Sequence, residues 1–397
     1  MNQLPSHLLY FLCFISALII SIVSIPQIML VATKKRLYDT PDGDRKIHLR
    51  VIPNLGGIGI FFGFITTACL FISPEAFLKW NFIIAASLLL FLVGIADDLI
   101  SLSPSKKFLT QFVAAFIVVC IADIRLKSLH GILGVYGDLP YWWSTIFSIV
   151  GVIFVTNAFN LVDGIDGLAG SIGVLSTLLL GITLAGFGHP GAACLSFCLL
   201  GGIVGFLRYN ISPAKIFMGD TGSLLIGFII SLLCIMSVNS FNPQAPYAAF
   251  IHSPQATLVI GLSVLFVPVF DTFRVFTTRL SKGMSPFKAD RTHLHHYMLD
   301  MGFTHTNTVA VLITANILII TVSLLTQDLN PNISILFILV ISMSLYGILY
   351  YMRKNKLAKI ARRNNSSQDS NERKGNTKEL PITGTKLKDA ATPTTKN

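Results

Sequence analysis

Charged residues are so sparse along this chain that they act as rulers. Between them lie nine long charge-free runs, at 1–33, 51–74, 80–96, 108–122, 139–162, 167–207, 221–270, 301–327 and 329–352. A hydrocarbon core takes about 20 helical residues to cross, so most of these runs hold one span. Two are long enough for two spans each. The first of them breaks at Gly188-His189-Pro190-Gly191, the second in the polar, proline-bearing stretch from Asn239 to Pro254. The run 108–122 is short, and counts because Lys106 and Lys107 can snorkel to the interface. The pattern predicts an all-α, polytopic integral membrane protein of about 11 transmembrane helices. The apolar run Leu8 to Ala32 has no cleavage-like small-residue site and reads as helix one rather than a removed signal.

An odd number of spans puts the termini on opposite sides, and the positive charges say which is which. One face collects Lys34, Lys35, Arg36, Arg45, Lys46, Arg50, Lys106, Lys107, Arg208, Lys215 and the five basic residues between Arg274 and Arg291, together with a basic tail. The other has Lys79, Arg125 and Lys127. The first face is therefore expected to be cytoplasmic, with the N-terminus outside. Residues 1–352 form a single transmembrane catalytic domain on this reading. The tail, 353–397, holds twelve basic and four acidic residues and is rich in Ser, Thr, Asn and Lys, so it is expected to be disordered. Its start, Arg353 to Arg363, is expected to lie against anionic headgroups. Because the net charge of +11 is concentrated there, it points to the lipid bilayer and not to a nucleic-acid partner. The six cysteines, Cys13, Cys69, Cys120, Cys194, Cys198 and Cys234, sit in apolar runs and read as small buried hydrophobes.

With this topology Asp97, Asp98, Asp163, Asp166, Asp220 and Asp271 all fall at or near helix ends on the basic face. An ionised carboxylate in hydrocarbon costs at least about 2.5 kcal/mol, so such a cluster marks function. The least lipid-compatible stretch is Asn157 to Leu168, where Asn157, Asn160, Asp163 and Asp166 recur every three residues. Successive pairs would share a helix face, with Gly164 and Gly167 weakening the helix at its end. Amides and carboxylates at that spacing can bind a sugar, a base edge or a hydrated metal. Asp97 and Asp98, adjacent on a helix, point about 100° apart and so are expected to do different jobs. Lys106 and Lys107 follow at the next helix entrance, placed to hold a phosphate. The Asp39 to Gly57 loop, with Arg45, Lys46 and Arg50 before Pro53 and paired glycines, suits close backbone approach to an anion. In Phe217-Met218-Gly219-Asp220-Thr221-Gly222-Ser223 a carboxylate and two hydroxyls open a helix, a place that favours anions and the metals they carry. The last basic loop contains Ser285-Pro286-Phe287-Lys288-Ala289-Asp290-Arg291-Thr292-His293-Leu294-His295-His296. No Cys or Glu stands nearby at zinc-ligand spacing, and the basic residues upstream favour a diphosphate.

These motifs, in this order from Asp39 to Gly302, resemble the polyprenyl-phosphate N-acetylhexosamine-1-phosphate transferases. The segment ending in His293-Leu294-His295-His296 looks like the WecA-like branch, which transfers N-acetylglucosamine 1-phosphate. The MraY-like branch of peptidoglycan synthesis, the alternative reading, carries its histidine run in a different setting. The resemblance implies that Asp97 and Asp98 handle lipid phosphate and metal, with Asp98 and Asp220 as ligands of Mg²⁺ or of Mn²⁺ in its place. It implies that Asn160, Asp163 and Asp166 belong to the catalytic centre. Asn157, Asn210 and Phe217 would bind substrate, with Asn210, Phe217 and Asp166 lining a uridine pocket. Arg291, His293, His295 and His296 would contact diphosphate or sugar. Relatives often continue the aspartate pair to a third carboxylate where this chain has Ser101. The implied partners are a UDP-sugar and a polyprenyl phosphate in a bacterial cytoplasmic (inner) membrane, with room for a homodimer; the product would be the first lipid-linked intermediate of a cell-envelope glycan. The rival class is a secondary transporter, which would place ionisable residues near the midplane in broken helices of repeated halves. Here they gather at one face, and the sequence has no internal repeat.

Overall fold

The computed structural model describes residues 5–37, 52–75, 77–242, 244, 251–285 and 292–376, with side chains as far as Arg362. Thirteen helices follow one another: α1 (Ser6–Lys35), α2 (Gly56–Phe71), α3 (Trp80–Ile100), α4 (Pro104–Phe116), α5 (Tyr141–Val162), α6 (Leu168–Gly186), α7 (Pro190–Asn210), α8 (Gly219–Asn239), α9 (Pro254–Val264), α10 (Phe266–Ser281), α11 (Leu294–Asp300), α12 (His305–Leu325) and α13 (Pro331–Asn376). A π-helical turn, Ile117–Ile121, prolongs α4. Apart from one isolated antiparallel bridge between Ser128 and Asp138, the described residues form no β-structure.

Among the described residues nine helices are long and apolar enough to cross a membrane, and α9 with α10, bent by 70° at Leu265, makes a tenth. The remaining expected span is α2. Its 16 residues give about 24 Å at 1.5 Å per residue, short of a hydrocarbon core about 30 Å thick. Prolines open α4, α7 and α9, where the missing N–H costs no helical hydrogen bond. The side chains of Ser253 and Thr304 accept from the third backbone N–H beyond them and cap α9 and α12.

α8 is the axis of the bundle. In its most apolar window 89% of the residues are buried, against 17% in α13 and 22% in α1, whose side chains face outward as lipid-facing helices do. Small residues let its neighbours approach: a Cβ on Gly57 of α2 would lie 2.1 Å from the Gly222 nitrogen, and one on Gly94 of α3 2.5 Å from the Thr221 Cα. A third, on Gly227, would come within 2.8 Å of Thr156 Cα in α5. These contacts fix the ends of α2, α3 and α5 around the start of α8. At the opposite end of α5 the exposed Tyr141, Trp142 and Trp143 form an aromatic cluster of the kind found at membrane interfaces.

Three features depart from the sequence expectation. α13 does not stop at residue 352 but continues to Asn376, and Arg353 pairs with Asp300 at 2.7 Å while Lys356 donates to the Met301 carbonyl. The first part of the tail is thus helical and tied to α11, because Asp300 and the Tyr297 ring, 4.0 Å from the Arg353 guanidinium, give its cations partners. Residues 377–397 lie outside the described residues. Cys69 is exposed on α2 and Cys120 half-buried, while the other four cysteines are buried as expected. Asp271 lies well inside α10, which runs ten residues past it.

Candidate active site

Four helix ends meet around Asp98. Its carboxylate accepts from the backbone N–H groups of Asp220 (2.7 Å) and Thr221 (3.1 Å) and from the Thr221 hydroxyl (2.6 Å). An acidic side chain thereby caps the positive end of α8 from a neighbouring helix. Asp97 turns elsewhere, as adjacent helical positions must: it accepts from the Leu102 N–H at 2.7 Å, closing α3, and from Lys107 Nζ at 2.6 Å. The same ammonium reaches Asp220 at 2.6 Å, so Lys107 bridges two carboxylates. Asn160 donates to the other Asp220 oxygen at 2.9 Å and to the Ser223 hydroxyl at 3.0 Å. One carboxylate oxygen each from Asp97, Asp98 and Asp220 lies within 4.8 Å of the others, a spacing at which one cation can be shared. All three donors are oxygen, the set that suits a hard divalent cation.

The floor under this cluster is backbone. Gly56 and Gly57 donate to the carbonyls of Phe217 and Met218 at 2.9 and 2.8 Å, and Phe217 donates to the Pro53 carbonyl at 2.9 Å. This strip holds Gly219 with φ +72°, so that α8 begins directly over Asp98. Asp163, just beyond α5, has a carboxyl pushed up to about 7 by burial and then by the Asp220, Asp98 and Asp166 carboxylates. Asp166 accepts from the Ala214 N–H at 3.2 Å and lies 3.3 Å from His305 Nδ1.

The histidine segment approaches from the other side. His293 Nδ1 lies 2.9 Å from Asp271, which also accepts from Arg274 at 2.7 Å and from the Leu294 N–H at 3.1 Å. The rings of His293 and His295 stack at 5.8 Å, and His295 meets His296 at 4.3 Å. A Cβ on Gly164 would lie 2.5 Å from His295 Nε2, which places that ring against the loop carrying Asp163 and Asp166. Burial, and then His296, hold the His295 ring down at about 4, so at neutral pH it offers a hydrogen bond rather than a charge.

The remaining sequence candidates divide. Asn157 turns away from the carboxylates to exchange hydrogen bonds with Gln111 of α4, at 2.6 and 3.3 Å. Asn210 is buried, with its amide accepting from the Gly167 N–H at 2.8 Å and donating to the Ile216 carbonyl at 2.9 Å; it braces the loops beside Asp166. Phe217 and Lys106 are exposed at the rim. Arg50 and Arg291 lie outside the described residues. The Thr221 hydroxyl, one of the two that the Asp220 motif sets at the start of α8, donates to Asp98, while Gln111 and His305 join the neighbourhood with nothing local in the sequence to mark them.

A polytopic helical membrane protein that gathers carboxylates and a lysine where helix ends converge is the class that fold and site define. The sequence profile of glycosyl transferase family 4 matches residues 80–238. Over 346 residues the chain is 28% identical to the probable undecaprenyl-phosphate N-acetylglucosaminyl 1-phosphate transferase of Bacillus subtilis (strain 168), covering 84% of this chain and 89% of that protein. It is 31% identical over 330 residues to the undecaprenyl-phosphate alpha-N-acetylglucosaminyl 1-phosphate transferase of Escherichia coli (strain K12), covering 80% and 84% respectively. It is 29% identical over 287 residues to a decaprenyl-phosphate N-acetylglucosaminephosphotransferase of Mycolicibacterium smegmatis, covering 68% and 70%. The chain belongs to glycosyl transferase family 4, and is a membrane transferase.

Proposed function

We propose that this protein transfers N-acetylglucosamine 1-phosphate from UDP-N-acetylglucosamine to undecaprenyl phosphate, releasing UMP, at the cytoplasmic face of a bacterial inner membrane. The observation that carries this is the Asp97, Asp98 and Asp220 cluster closed by Lys107, in a chain similar to proteins named for that transfer. The clustering at helix ends, away from any midplane, favours it over a transport pathway.

The reaction joins an oxygen of the lipid phosphate to the β-phosphorus of the nucleotide sugar and breaks the bond from that phosphorus to the bridging oxygen, which leaves with UMP. Both partners are anionic, so positioning and charge neutralisation dominate, and a strong base is not required. Asp97, Asp98 and Asp220 would hold Mg²⁺, or Mn²⁺ in its place, which would supply charge neutralisation at the phosphoryl oxygens. Lys107 stands within reach of two of these carboxylates and can turn to a phosphate when they are otherwise satisfied. Asn160 orients Asp220 through its 2.9 Å hydrogen bond. Exposed Phe108, Leu109, Phe112 and Phe116 run along α4 from Lys107 and give a polyprenyl chain an apolar approach. On this reading Asp166 and the exposed Phe217 would line the nucleotide, with buried Asn210 bracing the loops beside them, and neutral His295 could hydrogen-bond a diphosphate or sugar.

Purified protein supplied with UDP-N-acetylglucosamine, undecaprenyl phosphate and Mg²⁺ is expected to release UMP and to move labelled sugar into a lipid extract. UMP that forms without acceptor, or label that never enters lipid, would overturn the proposal. Orientation has its own test. In a background freed of the native cysteines, a cysteine at Asp328 is expected to react with an impermeant maleimide from outside, and one at Lys359 only after permeabilisation. The reverse pattern would put the site on the outer face.

A further inference from the structure

Asp271 serves none of the carboxylate chemistry above, yet it is buried and both of its oxygens are engaged. It is 2% exposed, and its two oxygens take three donors: Arg274 Nη2 and the Leu294 N–H on one, His293 on the other. Arg274 is itself enclosed, lying over the rings of Tyr346 (4.8 Å) and Tyr297 (5.3 Å) and donating to the Thr292 carbonyl. A carboxylate facing a guanidinium and a backbone N–H is an acceptor only, so the ring nitrogen toward it, His293 Nδ1, must carry the proton. Asp271 also receives the first N–H of α11, so one side chain sets both the His293 ring and the start of the helix that bears His295 and His296.

We propose that Asp271 is a positioning residue for the transfer reaction: by fixing the His293 tautomer and the entry of α11, it holds the stacked His293 and His295 rings against the Gly164 turn. The chain of contact is continuous. It runs from Arg274 through Asp271 to His293, across a 5.8 Å ring stack with planes 9° apart to His295, and from His295 Nε2 to Gly164 between Asp163 and Asp166. The proposal rests on the transferase reading for its kinetic consequence but not for its structural one.

Two measurements separate these. Asp271→Asn keeps the shape, but its amide nitrogen can only donate, so turned toward His293 it reverses the ring tautomer. With ¹⁵N-histidine in the protein, the His293 signals, assigned by loss in His293→Ala, are expected to exchange their protonated and lone-pair nitrogens in this variant. Unchanged His293 signals would overturn the proposal whatever the protein's activity. In UMP release, Asp271→Asn is expected to lose at least tenfold in turnover, but less than twofold when introduced into His293→Ala, because the histidine through which it acts is already gone. Equal losses in both backgrounds would mean that Asp271 acts by another route. Where Asp271→Asn folds poorly because Arg274 is left unpaired, Asp271→Asn/Arg274→Met removes the stranded charge, and the same two outcomes decide. Absence of UMP release by the wild type would instead sink the transferase reading and leave the tautomer test standing.

Discussion

Asp220→Asn is expected to lower turnover by at least about two to three orders of magnitude, which corresponds to roughly 3 to 4 kcal/mol of transition-state stabilisation at 1.4 kcal/mol per tenfold. Asparagine preserves size and can still accept from Asn160, now 2.9 Å from the carboxylate. It cannot preserve charge, and its amide nitrogen would meet the Lys107 ammonium, which lies 2.6 Å from Asp220. The cluster keeps Asp97 and Asp98 but loses the oxygen that would let three carboxylates share one cation. Losing one ligand of a bound metal is consistent with a penalty of that size. Asp138→Asn, at an exposed carboxylate in the loop before α5, is expected to change turnover little. The measurement is UMP release against Mg²⁺ concentration for wild type and both variants, with folding followed by thermal melting. A folded Asp220→Asn that retained more than a tenth of wild-type turnover, at an unchanged Mg²⁺ requirement, would move the metal to Asp97, Asp98 or Asp163.

The helices were legible because charge is so costly in lipid that its spacing marks where spans start and stop. The turn between α8 and α9 falls in the expected Asn239 to Pro254 stretch, marked there by polar residues and proline inside a charge-free run. The 70° break at Leu265 was harder to see. A signal existed in Pro268, whose ring opposes a continuous helix at the Val264 carbonyl. Yet Pro26 sits inside α1 without ending it, so a proline alone does not decide. What decides is Asn316 of α12, fully buried, which donates to the freed Val264 carbonyl at 3.3 Å and accepts from the Val267 N–H at 3.2 Å. That partner is fifty residues away in sequence and invisible to any local pattern.

The same distinction runs through the site. Asp97, Asp98 and Asp220 stood out as carboxylates at the edges of apolar runs, and the 100° rotation between neighbours anticipated that the first two would take different partners. The three-residue spacing of Asn157 and Asn160 promised one shared face. In the bundle the drift of that face is enough to send Asn157 to Gln111 of α4 and leave Asn160 on Asp220. Lys107, placed by the sequence to hold a phosphate, pairs here with two carboxylates, because α4 starts beside the end of α3 and the start of α8. Asp271 was grouped with the helix-end carboxylates since it follows the charge-free run. Its role depends on α10 continuing to Ser281 and returning the chain to Thr292, a tertiary fact.

Gly219→Ala is expected to damage both the fold and the turnover. Gly219 has φ +72°, where an alanine costs about 1 kcal/mol by conformation alone. The added Cβ would then stand 2.5 Å from the Asn54 carbonyl oxygen and 2.6 and 2.7 Å from the two Asp98 oxygens. The Asn54 oxygen is backbone in the strip paired to residues 217–218 and has little freedom to retreat, so Asp98 must move. Its three hydrogen bonds to the start of α8 go with it, each worth about 1.5–3 kcal/mol where one partner is charged. The expected result is a marked fall in melting temperature together with more than a tenfold loss of turnover and a raised Mg²⁺ requirement. Gly134 supplies the control, since its φ is +78° and a Cβ there would meet nothing within 4 Å. Gly134→Ala carries the same conformational cost without the collision, and should lower the melting temperature slightly and leave turnover unchanged. If Gly219→Ala tracked Gly134→Ala in both measurements, the close seat of Asp98 under the start of α8 would be dispensable, and the carboxylate could no longer be counted among the groups proposed to hold a cation.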